Sequence, residues 1–320
     1  MLNQAHFKIK TQDMKKLSIN IGSAVLLSIA SLSANASGSD NYTKPAVNLN
    51  SIVPAQLKTA SDLDSILSAQ PEEVQQRYQY RNPKETLEFF QIEPGMKVME
   101  VLPGRGWYTK ILLPFLGAEG ELVGVDYPQA MWPHFSFMTP ERIEGKKTWV
   151  STWTEEASTW RNDSGAKVSA FQFAEMPESI SGTVDAALYI RALHNLNRHQ
   201  DKDDYLGTAL KETYAALKPG GLLGFVQHHA REDRPDEWAD GNNGYLKQSF
   251  VIETMGKYGF EFVAQSDINA NPKDQAKEGD NVWRLLPSLR SDNEDPEHLK
   301  ALEEIGESNR MTLLFKKPNS

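Results

Sequence analysis

The chain has 320 residues with ordinary apolar and charged fractions, a formal charge of −9 and no cysteine. That length accommodates one large α/β domain with insertions or two small domains. Without cysteine there is no disulfide, no lipid-modified cysteine and no cysteine-ligated zinc, and the acidic balance argues against nucleic acid as a partner, because phosphate binding requires a cationic surface.

Lys15 and Lys16 precede an apolar run over 17–32 that ends in Ser33-Ala34-Asn35-Ala36. Basic, apolar and small residues in that order predict a signal peptide cut after Ala36, with Met14 as an alternative start. A membrane anchor is the competing reading, but the run is short for a bilayer and rich in Ser and Gly. Residues 1–36 carry a net +3, so their removal leaves −12 on a mature chain expected to be periplasmic or secreted, without stable membrane association. Residues 37–75 read as an arm or linker, polar and Pro-containing over 37–50.

Asn82-Pro83 predicts a helix start, with Asn as N-cap and Pro in the first turn, and Pro94-Gly95 ends that element. From there strands alternate with turns and helices, which predicts an α/β, doubly wound, mostly parallel sheet in one domain over 76–320. The expected strands are 97–101, 121–125, 168–173, 184–190, 222–227, 260–266 and 311–316, seven in all. Helices are expected over 108–116, 205–217 and 247–258, the second stopped by Pro219-Gly220-Gly221 and the third by Gly259. Two long connections, 127–167 and 267–309, read as insertions.

The most informative segment is Val98-Met99-Glu100-Val101-Leu102-Pro103-Gly104-Arg105-Gly106-Trp107-Tyr108, a buried strand running into a glycine turn and a helix. Gly104 and Gly106 let the backbone approach a ligand, and the helix start supplies free N–H groups. Asp126 closes the next strand 20 residues after Gly106, where a carboxylate can accept ribose hydroxyls. A dinucleotide site wants Gly-x-Gly-x-x-Gly, and its third position here is Thr109. Glu100 would repel a pyrophosphate but suits a sulfonium cofactor that also carries an amino group.

Thr183-Val184-Asp185-Ala186-Ala187-Leu188-Tyr189-Ile190, followed by Leu217-Lys218-Pro219-Gly220-Gly221, completes a resemblance to class I S-adenosylmethionine-dependent methyltransferases over about 80–316. Glu100 to Gly106 resembles their first motif, Asp126 their ribose-binding acid, and 217–221 the turn before their fifth strand. One departure is Leu102, where the first glycine of the motif commonly sits. The segments 103–108, 191–195 and 305–311 resemble those of a group of predicted exported bacterial methyltransferases. The resemblance implies a Rossmann-like methyltransferase fold with an antiparallel last strand and S-adenosyl-L-methionine as cofactor. The cofactor-binding residues it implies are Glu100, Gly104, Gly106, Asp126, Phe173, Glu175, Met176 and Tyr189, and the activity it implies is methyl transfer; it supplies no acceptor, which we expect to be a small molecule met outside the cytoplasm.

For chemistry at the acceptor, His194 and His228 close the fourth and fifth strands, at the rim where open α/β sheets bind ligands. They are the candidate catalytic bases, with capping or hydrogen-bonding histidines as the plainer reading. His229 should point the opposite way from His228, and no clear metal spacing appears. Arg191 could orient an anionic acceptor or pair with a carboxylate. Trp132, Trp149, Trp153 and Trp160 read as packed core or as a lid over the acceptor. A non-catalytic nucleoside or metabolite-binding protein on the same scaffold is the alternative function.

Overall fold

A computed structural model describes residues 62–293 and 295–319. The leader and most of the arm lie outside the described residues. Among the described residues eleven α-helices and eight strands follow one another: α1 (Leu63–Ser68), α2 (Glu72–Gln75), α3 (Tyr78–Arg81), α4 (Pro83–Phe89), β1 (Lys97–Val101), α5 (Thr109–Leu116), β2 (Glu121–Asp126), α6 (Pro140–Gly145), α7 (Trp149–Trp160), β3 (Lys167–Gln172), β4 (Val184–Ile190), α8 (Leu193–Asn197), α9 (Tyr205–Ala216), β5 (Leu217–Ala230), β6 (Leu246–Lys247), α10 (Gln248–Lys257), β7 (Glu261–Ser266), α11 (Pro296–Ile305) and β8 (Arg310–Lys316). None of the helices among the described residues is long and apolar enough to cross a membrane.

The sheet order is β3-β2-β1-β4-β5-β8-β7, with the two-residue β6 pairing beside β5. β8 runs antiparallel to both β5 and β7, and the strands from β3 through β5 are mutually parallel. This is the expected doubly wound sheet of seven main strands with an antiparallel last strand. The order of strand addition reverses between the parallel neighbours β1 and β4, which puts the topological switch point at the carboxyl ends of these two strands.

Side chains alternate between two apolar layers. Met99, Val101, Val123, Val125, Tyr189 and Phe225 face one layer, closed by Leu206 and Leu210 of α9 and by Val251 and Met255 of α10. Val98, Leu122, Ala186 and Leu188 face the other, closed by Leu63, Leu87, Leu112 and Trp153 from α1, α4, α5 and α7. Each Val, Leu, Met or Phe among them taken fully out of water contributes about 1.5–3 kcal/mol. Because α1 supplies Leu63, Ile66 and Leu67 to this layer, residues from 62 onward pack as part of the domain rather than as a free arm.

Several expected boundaries change for physical reasons. Asn82 has φ 38° and no side-chain capping bond; it joins α3 to α4 in the left-handed region, while its Nδ2 donates to the carbonyl of Ile268 at 2.7 Å. β5 begins at Leu217, which pairs with Val184, and the Pro219-Gly220-Gly221 turn becomes a register irregularity inside the strand. The connection 127–167 contains α7, the ordinary crossover helix between parallel β2 and β3. Trp153 of α7 lies against Gly124 so closely that a Cβ there would fall 2.4 Å from the indole. Trp149 stacks on Trp153 with ring centres 5.5 Å apart, so these tryptophans serve packing and do not form a lid.

Candidate functional site

Val101 pairs with Val125, and the Leu102 N–H donates to the Val125 carbonyl at 2.7 Å. This register brings the glycine turn after β1 beside Asp126 at the end of β2. Leu102, which takes the place of a glycine in the motif, adopts φ 55°, a left-handed conformation that costs a non-glycine residue about 1–2 kcal/mol. The two glycines have different surroundings. At Gly104 (φ 58°) an added Cβ would meet nothing nearer than the Leu102 carbonyl at 3.9 Å, so this position is open to a ligand. At Gly106 (φ 74°) a Cβ would lie 2.2 Å from the Trp160 ring, so this glycine makes room for α7 instead.

Glu100 is buried, and Thr109 Oγ1 donates to its Oε2 at 2.6 Å. Burial pushes its carboxyl up to about 7 against the lowering effect of the Thr109 bonds. Near neutral pH it is therefore poised between neutral and charged forms. This weakens the argument from repulsion of a pyrophosphate, and it leaves Glu100 responsive to a cation, which would draw it to the charged form. Thr109 fills the position of the third dinucleotide glycine and spends its hydroxyl on Glu100.

Asp126 is also buried; its Oδ1 accepts from the Tyr127 N–H at 2.9 Å and its Oδ2 is held by Lys146 Nζ at 2.9 Å. Burial raises its pKa, and the Lys146 charge and hydrogen bond oppose that only in part. Lys146 sits 3.9 Å above the Trp132 ring and was not foreseen, because a lysine between a short helix and α7 carries no motif.

After β3, the Phe173 N–H donates to the Asp126 carbonyl at 3.0 Å, which sets this loop beside the end of β2. Phe173 is fully buried in the core, Met176 is half-buried against the same layer and Glu175 is exposed. Tyr189 does not reach this region. Its ring is buried against Phe225 and its hydroxyl meets Thr213 Oγ1 at 2.7 Å, so it is a core residue of the β4–α9 layer; strand alternation turns it away from the turn.

At the β4–β5 rim the structure brings the two histidines together, with ring centres 5.2 Å apart. His194 lies in the first turn of α8 rather than on the strand, and its Nδ1 is 3.3 Å from Gln227 Oε1. His228 Nδ1 is 2.5 Å from Ser308 Oγ. Burial pulls His194 down to about 3, opposed by the Gln227 bond and helped by the charges of Arg191 and Arg198. Burial, His194 and the surrounding arginines take His228 well below the ordinary range, so both rings are neutral.

Around them lies a cluster that the single motif residues did not predict. Arg77, Arg81 and Arg310 all bond to the buried Glu307, Arg77 Nε at 2.8 Å and Arg81 Nε at 3.2 Å. Burial alone would raise Glu307, but the fields of Arg310, Arg81, Arg191 and Arg77 hold it at about 2. The only sequence signal was the segment Ile305 to Met311, which resembled the exported group without revealing a role.

No family model matches the chain, and no curated protein matches it. Solved structures similar to it include a SAM-dependent methyltransferase from Aquifex aeolicus, at 18% identity over 65% of this chain and 93% of that one, with a TM-score of 0.42. Another is the 1,6-didemethyltoxoflavin-N1-methyltransferase of Burkholderia thailandensis with bound 1,6-didemethyltoxoflavin and S-adenosylhomocysteine, at 15% identity over 83% and 93%, with a TM-score of 0.41. A third is a cyclase, at 16% identity over 75% and 81%, with a TM-score of 0.44. The fold is the Rossmann-like methyltransferase fold. Its strand order carries that assignment, and a fold of this kind does not by itself fix the reaction.

Proposed function

We propose that this chain binds S-adenosyl-L-methionine and acts as a methyltransferase on a small-molecule acceptor, after export directed by residues 1–36. The observation that supports it best is the juxtaposition of the open Gly104 turn, buried Glu100 and the terminal Asp126 on two adjacent parallel strands. These residues fit the cofactor with one adjustment: Lys146 has to release Asp126 before its oxygens can accept two ribose hydroxyls. Glu100 would hold the amino group, and Met176 would border the adenine.

When bound, the cofactor supplies a methyl group on a positively charged sulfur, ready for displacement. The protein's tasks are to align the acceptor and exclude water. His228 and His194, both neutral, each keep a ring nitrogen able to take a proton from an acceptor. Their low basicity favours a second reading, a nucleoside or metabolite-binding protein without turnover.

Calorimetry of the mature protein with S-adenosylmethionine, S-adenosylhomocysteine and NAD in parallel tests the proposal. Binding of the first two and not of NAD supports it; binding of NAD alone overturns it. Loss of turnover by about 10² to 10⁴ in His228→Ala, with unchanged cofactor affinity, separates an enzyme from a binding protein. Export is tested by mass spectrometry of the chain recovered outside the cytoplasm, where an N-terminus still containing Lys15 would refute cleavage after Ala36.

A further inference from the structure

Two adjoining cavities open at the β4–β5 rim. The inner one, about 210 Å³, is lined by Arg191, His194, His228, Glu307, Ser308 and Arg310 among others. The outer one, about 480 Å³, has Tyr127, Phe135, Phe137 and Trp283 as aromatic walls with Arg198 and Arg290 beside them. Asn195, Trp283 and Ser288 line both, so the two are continuous along one wall.

The charge on these walls is one-sided. Four arginines line the pair of cavities against a single carboxylate, Glu307, and that carboxylate is already taken by Arg77, Arg81 and Arg310. Among the described residues the Arg191 side chain makes no hydrogen bond or ion pair, and Arg198 Nε is buried without a partner. In a chain of net charge −9 this is a local reversal of sign. Crowded, desolvated guanidiniums are costly. Burial and the Arg191 charge pull Arg81 down to about 8, while burial and the Arg310 charge pull Arg191 down to about 10. A guanidinium does not give up its proton in a protein, so a bound anion would relieve the crowding.

We propose that the inner cavity is an oxyanion subsite, in which Arg191 and Arg310 bind the carboxylate or phosphate of a small molecule beside His228 and Ser308, while the aromatic outer cavity holds its flat body. Arg191 is the residue that commits the site to a ligand, since Arg310 already serves Glu307. The two arginines present charged donors suited to two oxygens, and the Ser308 hydroxyl adds a third polar group. The same chemistry has two possible sources: an anionic acceptor, or the carboxylate of the cofactor's methionine portion. In the second case the subsite rests on the function proposed above; in the first it stands without it.

The test uses the full mature chain without cofactor, titrated with benzoate and with inorganic phosphate. One of the two is expected to bind at a single site, with affinity lowered about tenfold or more in Arg191→Met and partly restored in Arg191→Lys. Arg191 makes no hydrogen bond or ion pair among the described residues and its charge is held at a cost, so Arg191→Met should fold with a denaturant midpoint no lower than that of the wild type, and that midpoint is measured alongside. Absence of binding by either anion, or binding untouched by Arg191→Met, overturns the subsite whatever happens with the cofactor. The source follows from competition: displacement of the anion by S-adenosylhomocysteine but not by methylthioadenosine, which lacks the carboxylate, assigns the subsite to the cofactor. Simultaneous binding of the anion and S-adenosylhomocysteine assigns it to the acceptor.

Discussion

Lys146 Nζ lies 2.9 Å from Asp126 Oδ2 and 3.9 Å from the centre of the Trp132 ring, so one cation serves both a buried carboxylate and an indole face. In the proposed function it competes for the carboxylate that would accept the cofactor's ribose hydroxyls. Lys146→Met is therefore expected to have opposite effects on stability and binding. The free protein should lose about 1–2 kcal/mol, less than for a fully buried pair because Lys146 is about a quarter exposed. Affinity for S-adenosylhomocysteine should rise, by up to about tenfold, because no ion pair has to be broken first. Urea denaturation and calorimetry read the two effects; unchanged or weaker binding would show that the ribose does not use Asp126.

The two glycines of the turn should separate by phenotype. Gly106→Ala places a methyl group 2.2 Å from the Trp160 ring at a positive φ, and the overpacking and backbone strain together should cost about 2–4 kcal/mol. Gly104→Ala meets open space and should cost only about 1 kcal/mol, from its φ. Gly104→Val, by contrast, should weaken S-adenosylhomocysteine binding at least as much as Asp126→Ala, for which about 1–3 kcal/mol is expected. Equal stability losses in the two alanine variants would sink this assignment.

Glu100→Gln should exchange binding for stability. Burial raises the Glu100 pKa from 4.5 to about 7, so the folded state holds a proton more tightly than the unfolded one and stability declines as pH rises from about 4.5 to about 7. A neutral Gln escapes that loss. At pH 8 the variant should be more stable than the wild type by about 2 kcal/mol while binding S-adenosylmethionine more weakly. Denaturation curves at pH 4 and pH 8 give the result, and a stability difference independent of pH would contradict it.

Glu307 acts in the opposite direction. Its folded pKa of about 2 lies below the ordinary 4.5, so its contribution is complete above about 4.5 and is lost as pH falls toward 2. The shift corresponds to a contribution on the order of 3 kcal/mol. Wild-type stability should therefore fall between pH 5 and pH 2.5 more steeply than that of Glu307→Gln. Parallel acid limbs would mean that the arginine cluster does not depend on this carboxylate.

The sequence by itself determined the layered fold and the location of the glycine turn, because both are local. The apolar alternation in 97–101 and 184–190, the Gly104 turn and Asp126 at the end of its strand are written in short segments whose periodicity and turn chemistry need no distant partner. The rim positions of His194 and His228 followed from the strands that precede them. Only the tertiary structure decided what these residues touch. Lys146 reaches Asp126 and Trp160 reaches Gly106 because the helix before β3 folds back over the turn. Tyr189 proved to be core, since its face of β4 meets α9. The arginine cluster draws Arg77 and Arg81 from the first helices, Arg191 from the end of β4 and Glu307 and Arg310 from the last strand's approach. Residues as far as 230 positions apart in sequence meet there, and no local pattern encodes such a meeting: it is fixed by the strand order, which places β8 beside β5 and closes the rim.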